Sequence, residues 1–210
     1  MDPGQAGSHR RRQRLTGRPF PDAFYARPTP LVARRLLGHF LVSDVGGRRT
    51  VGRIVETEAY IGPDDPACHA WRGRRSPMVE SLYGPPGTAY VYFTHGMHWC
   101  LNAVTRREGF PAAVLLRALE PVEGLEVMRR RRGGGAVPDR RLCAGPAMLC
   151  QAFGVTGRLD SSPLSRGALR ILRDPGRGRL RVSVGPRVGI TRAVDWPLRF
   201  WITGSEWASR

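Results

Sequence analysis

Residues 51–60 read Val51-Gly52-Arg53-Ile54-Val55-Glu56-Thr57-Glu58-Ala59-Tyr60. The segment from Arg49 to Tyr60 has the composition of a β-strand. On a strand alternate side chains share a face, so Glu56, Glu58 and Tyr60 point the same way. Two like charges side by side on a half-buried strand are costly unless paired. The spacing leaves two readings open. One is a pair of surface glutamates held by nearby arginines. The other is a glutamate acting as general base beside an aromatic wall.

Upstream of this strand, Thr29-Pro30 marks a helix start, with Thr29 as N-cap and Pro30 at the first helical position. That helix should run to about Leu37 and close at Gly38. His39 to Asp44 reads as a strand, with a turn at Gly46-Gly47. Downstream, Ile61 to Pro86 is long, poorly periodic and rich in Gly, Pro and Asp; such a stretch inside a compact domain is usually functional. Thr88 to Val104 reads as a hairpin turning at His95-Gly96. Ala112 to Leu119 is an apolar strand, and Pro121 to Arg132 a helix ending in four arginines. Pro146 to Phe153 is a short helix stopped by Gly154, and Leu180–Val184, Val188–Thr191 and Leu198–Thr203 are late strands. The sum is a mixed α/β (α+β) fold: residues 19–210 as one domain around a curved, largely antiparallel sheet with a protruding hairpin. It lacks the regular βαβ alternation of a doubly wound sheet.

Composition narrows the function. The 210 residues suit one domain with one sizeable core. No run of eighteen apolar residues is present, so no membrane span is expected. Met1 to Arg18 is polar and arginine-rich without an apolar stretch; it reads as a disordered basic arm, not a secretory signal. Cys68, Cys100, Cys143 and Cys150 show no CxxC spacing, which argues against a zinc or redox site and for reduced, buried thiols of a cytoplasmic protein. No metal or organic cofactor is implied. The formal net charge is +17 and the pI about 11.4. Such an excess favours a polyanionic partner. All 34 basic residues are arginine, so no side chain can form a Schiff base.

Tyr60, His69, Tyr90, Tyr92, His95, His98 and Trp99 lie in or near the long loop and the hairpin. A basic protein with interleaved aromatics can stack bases, although several of these rings are equally well read as core. Tyr90 and Tyr92 share a strand face and stand or fall together. His95 differs, because a ring at a hairpin tip points outward and could wedge into a base stack.

Arg53 to Tyr60 resembles the hallmark segment of the alkyladenine DNA glycosylase family, also called methylpurine or 3-methyladenine DNA glycosylases. The similarity continues through Gly87-Thr88-Ala89-Tyr90-Val91-Tyr92, Gly96-Met97, Cys100-Leu101-Asn102 and residues 114–121 (Val-Leu-Leu-Arg-Ala-Leu-Glu-Pro). It extends to Leu142-Cys143-Ala144-Gly145-Pro146, Leu149-Cys150-Gln151, Arg187-Val188-Gly189-Ile190 and Pro197-Leu198-Arg199-Phe200, in colinear order from about Phe20 to Trp207. The resemblance implies a base-excision-repair enzyme that flips alkylated purines out of double-stranded DNA and hydrolyses the bond to the sugar. It implies Glu58 as general base and Arg117 as the arginine that helps hold the water and the DNA backbone. Tyr60, His69 and Tyr92 would sandwich the flipped base, and Asn102 would screen purines by their minor-groove edge. His95 falls where the best-known members carry an intercalating tyrosine, and Met148 where a lysine is common; both are departures.

Chemistry fits these roles. Flipping requires unstacking, at a few kcal/mol. Arginines neutralise phosphates and fix register without reading sequence. A 3- or 7-methylpurine is cationic, so it is already activated as a leaving group and is favoured by aromatic walls. Without lysine, and with the Met1 amine on the arm, water is the expected nucleophile. A glycoside hydrolase built on Glu56 and Glu58 is disfavoured, because residues i and i+2 on one strand do not straddle a sugar bond. The alternative is a catalytically silent basic DNA- or RNA-binding module. It gives no reason for Glu58 to sit in an anion-binding surface. A monomer is expected, in the cytoplasm with the nucleoid.

Overall fold

The computed structural model describes residues 17–94 and 96–209. All but the last two residues of the expected basic arm, and the hairpin-tip His95, lie outside the described residues.

The strand quoted above is the centre of the molecule. It spans Thr50–Tyr60 (β2) and pairs along one edge with Ala112–Glu123 (β5). Its other edge is shared: Phe40–Ser43 (β1) takes the first half and Arg199–Ile202 (β8) the second. Ala89–Thr94 (β3) and His98–Thr105 (β4) form the expected hairpin beside β5. Leu169–Leu172 (β6) extends the sheet beyond β1, and Val182–Gly185 (β7) pairs with β8. Every described pairing is antiparallel, and the sheet is open rather than closed into a barrel.

Helices Asp22–Tyr25 (α1), Thr29–Leu36 (α2), Leu125–Arg131 (α3), Asp139–Leu142 (α4) and Pro146–Phe153 (α5) complete the fold. The main core joins Val32, Ala33 and Leu36 of α2 and Leu149 and Phe153 of α5 to Ile54, Leu116 and Leu119 of the sheet. No helix of the described residues is long and apolar enough to cross a membrane. The four cysteines are free and buried.

Four local expectations change. Helix α2 begins one residue early, because the Pro28 carbonyl already accepts the Leu31 and Val32 N–H groups. Thr29 therefore does not cap; its hydroxyl bonds Thr105 Oγ1 at 2.9 Å. The strand expected to end at Leu119 runs on to Glu123, so the helix expected from Pro121 starts only at Leu125. The break falls at Gly124, whose φ is +80°, and where a Cβ would stand 2.3 Å from the Arg49 carbonyl oxygen. Val188–Thr191 is not a strand, because the Val188 N–H is given to a carboxylate instead of a sheet ladder. Strand β6 carries no signal strong enough to be read in advance. Within the arginine run, Arg129 pairs with Glu126 and Asp139, Arg131 donates to the Val45 and Ala152 carbonyls, and Arg132 donates to Gln151. Three of the four thus serve the fold.

The register of β2 against β5 shifts three times, once between Val51 and Gly52 and twice around Glu56. Ile54 faces Leu119 but Glu56 faces Ala118, which leaves Val55 as an extra residue on β2. Thr57 then faces Leu116, which leaves Arg117 as an extra residue on β5. Bulges of this kind re-aim side chains. Ile54 and Leu119 pack into the helix-side core, as do Leu116 and Ala59 on the far side of the bulges. Simple alternation would put Ile54 and Glu56 on one face. The bulges turn Glu56, Glu58 and Arg117 to the opposite face while the core stays continuous. Thr57, between the glutamates, points to the helix side and donates to the Ala33 carbonyl at 3.0 Å.

Where α5 crosses β2, a Cβ on Gly52 would lie 2.9 Å from Leu119 Cβ and 3.0 Å from Phe153 Cζ. Gly52→Ala is expected to lower stability by about 1–3 kcal/mol through overpacking. Urea unfolding checks this; an unchanged midpoint would mean that α5 can withdraw freely.

Candidate active site

The face that carries Glu56 and Glu58 closes one side of a cavity of about 750 Å³. Its walls come from three places. The sheet supplies Tyr60, Tyr90, Tyr92, Cys100, Asn102, Leu115 and Arg117. The loop after β2 supplies Cys68, His69, Trp71 and Arg74, and the segment after β7 supplies Val188 to Arg192. The long irregular stretch and the failed strand are therefore the two facing lips of one opening.

Glu58 does not line the cavity. It is fully buried just behind the wall, and each oxygen is bonded. Oε1 accepts the Val188 N–H at 2.7 Å and lies 3.3 Å from Arg117 Nη1. Oε2 accepts the Tyr60 hydroxyl at 2.9 Å. Burial raises the Glu58 pKa above the ordinary 4.5, and Glu56 adds to the rise. Arg117, the Val188 N–H and the Tyr60 hydroxyl pull the other way without cancelling it. Burial and the neighbouring Glu58 carboxylate also raise the Tyr60 phenol, so it stays protonated and donating. Burial pulls Arg117 down, but Glu58 and Glu56 outweigh it and hold the guanidinium firmly charged.

Glu56 is equally buried and has a different set of partners. Its Oε1 accepts Arg117 Nε at 3.0 Å, Arg199 Nε at 2.7 Å and the Ser209 hydroxyl at 2.8 Å; its Oε2 accepts the Ser209 N–H at 2.5 Å. The surface placement of the glutamate pair does not hold, because both side chains are buried. Arginines do hold the pair, but in the interior, and the two carboxylates divide the labour of satisfying one guanidinium. Glu56 is held by Arg117, Arg199 and Ser209, whereas two of the partners of Glu58, Tyr60 and Val188, themselves line the cavity.

The aromatic walls are ordered by their own contacts. His69 meets Tyr92 edge-on with centroids 4.5 Å apart, and its Nδ1 lies 2.7 Å from the Tyr90 hydroxyl. Tyr90 and Tyr92 are tilted at 5.2 Å, so the two rings do share one fate. Burial, helped by Arg74, lowers the His69 pKa, so its ring is neutral at pH 7. Asn102 is buried on the cavity floor, and its Nδ2 donates to the Tyr90 carbonyl at 3.1 Å. Five of the residues singled out in the sequence, Tyr60, His69, Tyr92, Asn102 and Arg117, thus surround one cavity, with Glu58 behind it. His95 is outside the described residues.

Several supports carry no sign of their role in the sequence, although Arg187 and Arg199 fall in segments that bear the family resemblance. Arg187 and Asp65 form a bidentate ion pair at 2.5 and 2.8 Å with both side chains fully buried. Arg187 also donates to the Ala59 carbonyl and lies over the Tyr60 ring at 4.7 Å. Asp65 in turn accepts the Ile61 and Ala67 N–H groups. This pair ties both lips of the cavity to the strand that carries Glu58. Asp65 sits in a Gly-Pro-Asp-Asp-Pro run that reads only as a turn. Ser209 and Arg199 lie far from Glu56 in sequence.

Comparison with known proteins gives a consistent answer. The sequence model of one family, described as methylpurine-DNA glycosylase, matches residues 23–206. The chain is 45% identical over 193 residues to a protein of Myxococcus xanthus assigned as a 3-methyladenine DNA glycosylase, covering 90% of this chain and 93% of that protein. A protein of Carboxydothermus hydrogenoformans with the same assignment is 42% identical, covering 90% and 98%. The DNA-3-methyladenine glycosylase of Mus musculus is 41% identical over 208 residues, covering 92% of this chain and 62% of that protein.

Removing one member of a buried ion cluster leaves an uncompensated charge, at about 3–5 kcal/mol. Glu56→Gln is accordingly expected to destabilise the protein by about 3 kcal/mol in chemical denaturation. A loss below about 0.5 kcal/mol, the range of a surface change, would deny Glu56 its place as the hub of the cluster.

Proposed function

The chain belongs to the methylpurine-DNA glycosylase family and is a DNA-repair glycosylase, and from that premise we propose that it accepts a flipped, cationic methylated purine between Tyr60, His69 and Tyr92 and hydrolyses its glycosidic bond with Glu58 as general base. The observation that carries this reading is the position of Glu58. It is a carboxylate buried one layer behind an aromatic cavity, in a chain of net charge +17. A silent binder of phosphates has no use for it there.

The reaction balances simply. The C1′–N bond of the lesion breaks and its electron pair leaves with the base, so a cationic methylpurine departs neutral. Water oxygen bonds to C1′, and its proton passes to the Glu58 carboxylate. Arg117 and the Tyr60 hydroxyl keep that carboxylate oriented. The neutral His69 ring suits a cationic base, since a protonated wall would repel it, while the three rings attract it by their π faces. Asn102 on the floor would oppose purines that carry an amino group on their minor-groove edge. His95, which the sequence places at the hairpin tip, would occupy the gap left in the duplex. With no lysine to form an imine, the product is an intact abasic strand. The protein would act as a monomer, in the cytoplasm on nucleoid DNA.

Single-turnover release of 3-methyladenine from duplex DNA tests this. Glu58→Gln should keep duplex affinity and lose base release by at least about 100-fold, the lower bound for a general base. A wild type that binds but releases no methylated, deaminated or etheno purine would return the protein to the silent-binder class. Strand cleavage without added alkali would overturn the water mechanism.

The pH profile gives an independent check. A general base works when deprotonated, and burial raises the Glu58 pKa. Activity should therefore fall on acidification through an apparent pKa above 4.5. Arg117 favours the ionised form, so Arg117→Gln should move this acid limb to still higher pH. A limb that stays in place in that variant would remove Arg117 from contact with the base.

A further inference from the structure

At the lip of the cavity, two cations share one aromatic ring. The Arg72 guanidinium lies 4.3 Å from the centroid of the Trp71 ring and the Arg192 guanidinium 4.4 Å from it. The two arginines come from opposite lips, the loop after β2 and the segment after β7. Trp71, Arg192 and the nearby Arg74 line the cavity. Among the described residues, no carboxylate pairs with Arg72, Arg74 or Arg192, whereas Arg75 beside them is taken by Glu80.

The arrangement is costly in two ways. Like charges gathered on one ring repel, and Arg72 has φ +58°, a left-handed conformation that glycine adopts freely and arginine does not. The indole offsets the repulsion through its π face, and it does so without neutralising either cation, as a carboxylate would. The result is two held, uncompensated guanidiniums at the mouth of a cavity that admits a base. A nucleotide whose base enters that cavity must leave its sugar and both flanking phosphates at the mouth.

We propose that Arg72 and Arg192, mounted on Trp71, form a clamp for the DNA phosphates that flank the flipped nucleotide. The clamp joins the two lips only through the indole and the bound phosphate. It therefore completes the rim when DNA is present. The proposal rests on the base-binding reading of the cavity, but it concerns binding of the backbone, which can be measured without any chemistry.

The test uses a duplex with one stable abasic-site analogue, which has no base to release, and follows its binding by fluorescence anisotropy across a KCl series. Arg72→Gln and Arg192→Gln should each lower the slope of log K against log[KCl] by about 1. Each should weaken binding about eightfold at about 0.1 M salt, the factor for one neutralised phosphate. Arg34→Gln, an exposed arginine of α2 on the other face of the sheet, should alter neither slope nor affinity. In a Trp71→Leu background the two arginine substitutions should lose most of their effect; full additivity would deny the indole its part. Arg72→Gly guards against misfolding as the cause, because it relieves the left-handed strain: it should melt at or above the wild-type temperature and still bind more weakly. A double Arg72→Gln/Arg192→Gln variant with the wild-type slope overturns the clamp. If base release fails in the wild type while these slopes change as stated, the chemical reading falls and the clamp stands.

Discussion

The structure depends on one arrangement of charge, the Arg117 guanidinium held between two buried glutamates in the middle of a sheet. Burying three charges in a strand pair is expensive, and it is tolerated only when each charge is paired and hydrogen-bonded. Glu56 meets that condition with Arg199 and Ser209, and Glu58 meets it with Val188 and Tyr60. The cluster thereby recruits the segment after β7, strand β8 and residues near 209 to the same face of β2. The geometry of the cavity follows from what this cluster needs as partners. The paired bulges at Val55 and Arg117 are its backbone counterpart, since they turn three charged side chains out of the core without interrupting it.

How much of this was legible in the sequence depends on the range of the interactions. Alternation along β2 was local, so the shared face of Glu56, Glu58 and Tyr60 could be read and is found. The Thr88–Val104 hairpin and the Pro146–Phe153 helix were local as well, with a turn glycine and an N-terminal proline as punctuation. The bulges could not be read, because an extra residue is defined only against a partner strand more than fifty residues away. For the same reason the Arg187–Asp65 pair, which holds both lips, looked like an unremarkable arginine and a turn aspartate. Misreadings occurred where a tertiary partner outbid a local preference. Val188 had the composition of a strand and gave its N–H to Glu58. Pro121 looked like a helix start, yet pairing with Gly52 carried β5 past it.

The exclusive use of arginine shapes these roles. A planar guanidinium with five donors can serve several acceptors at once and cannot be neutralised at physiological pH. Arg117 contacts Glu56, Glu58, the Val188 carbonyl and Ser209, and Arg187 contacts Asp65 and the Ala59 carbonyl while covering Tyr60. A lysine ammonium could not bridge so many fixed acceptors. The net charge of +17 is therefore not one uniform polyanion-binding coat. Part of it is spent in the interior, part fastens helices, as Arg131 does, and Arg72, Arg74 and Arg192 stand at the cavity mouth with no carboxylate partner among the described residues.

A buried base has a consequence for the chemistry it can support. Glu58 is fully enclosed beside Arg117 and Val188, so as the proposed base it would meet its water next to these two partners and not in bulk solvent. Burial raises the pKa of Glu58, which would strengthen it in the proposed role of base, and Arg117 limits the rise. Positioning and basicity are thus set by the same contacts. A group that was free to face solvent would have the ordinary glutamate pKa and no fixed line of approach to the sugar.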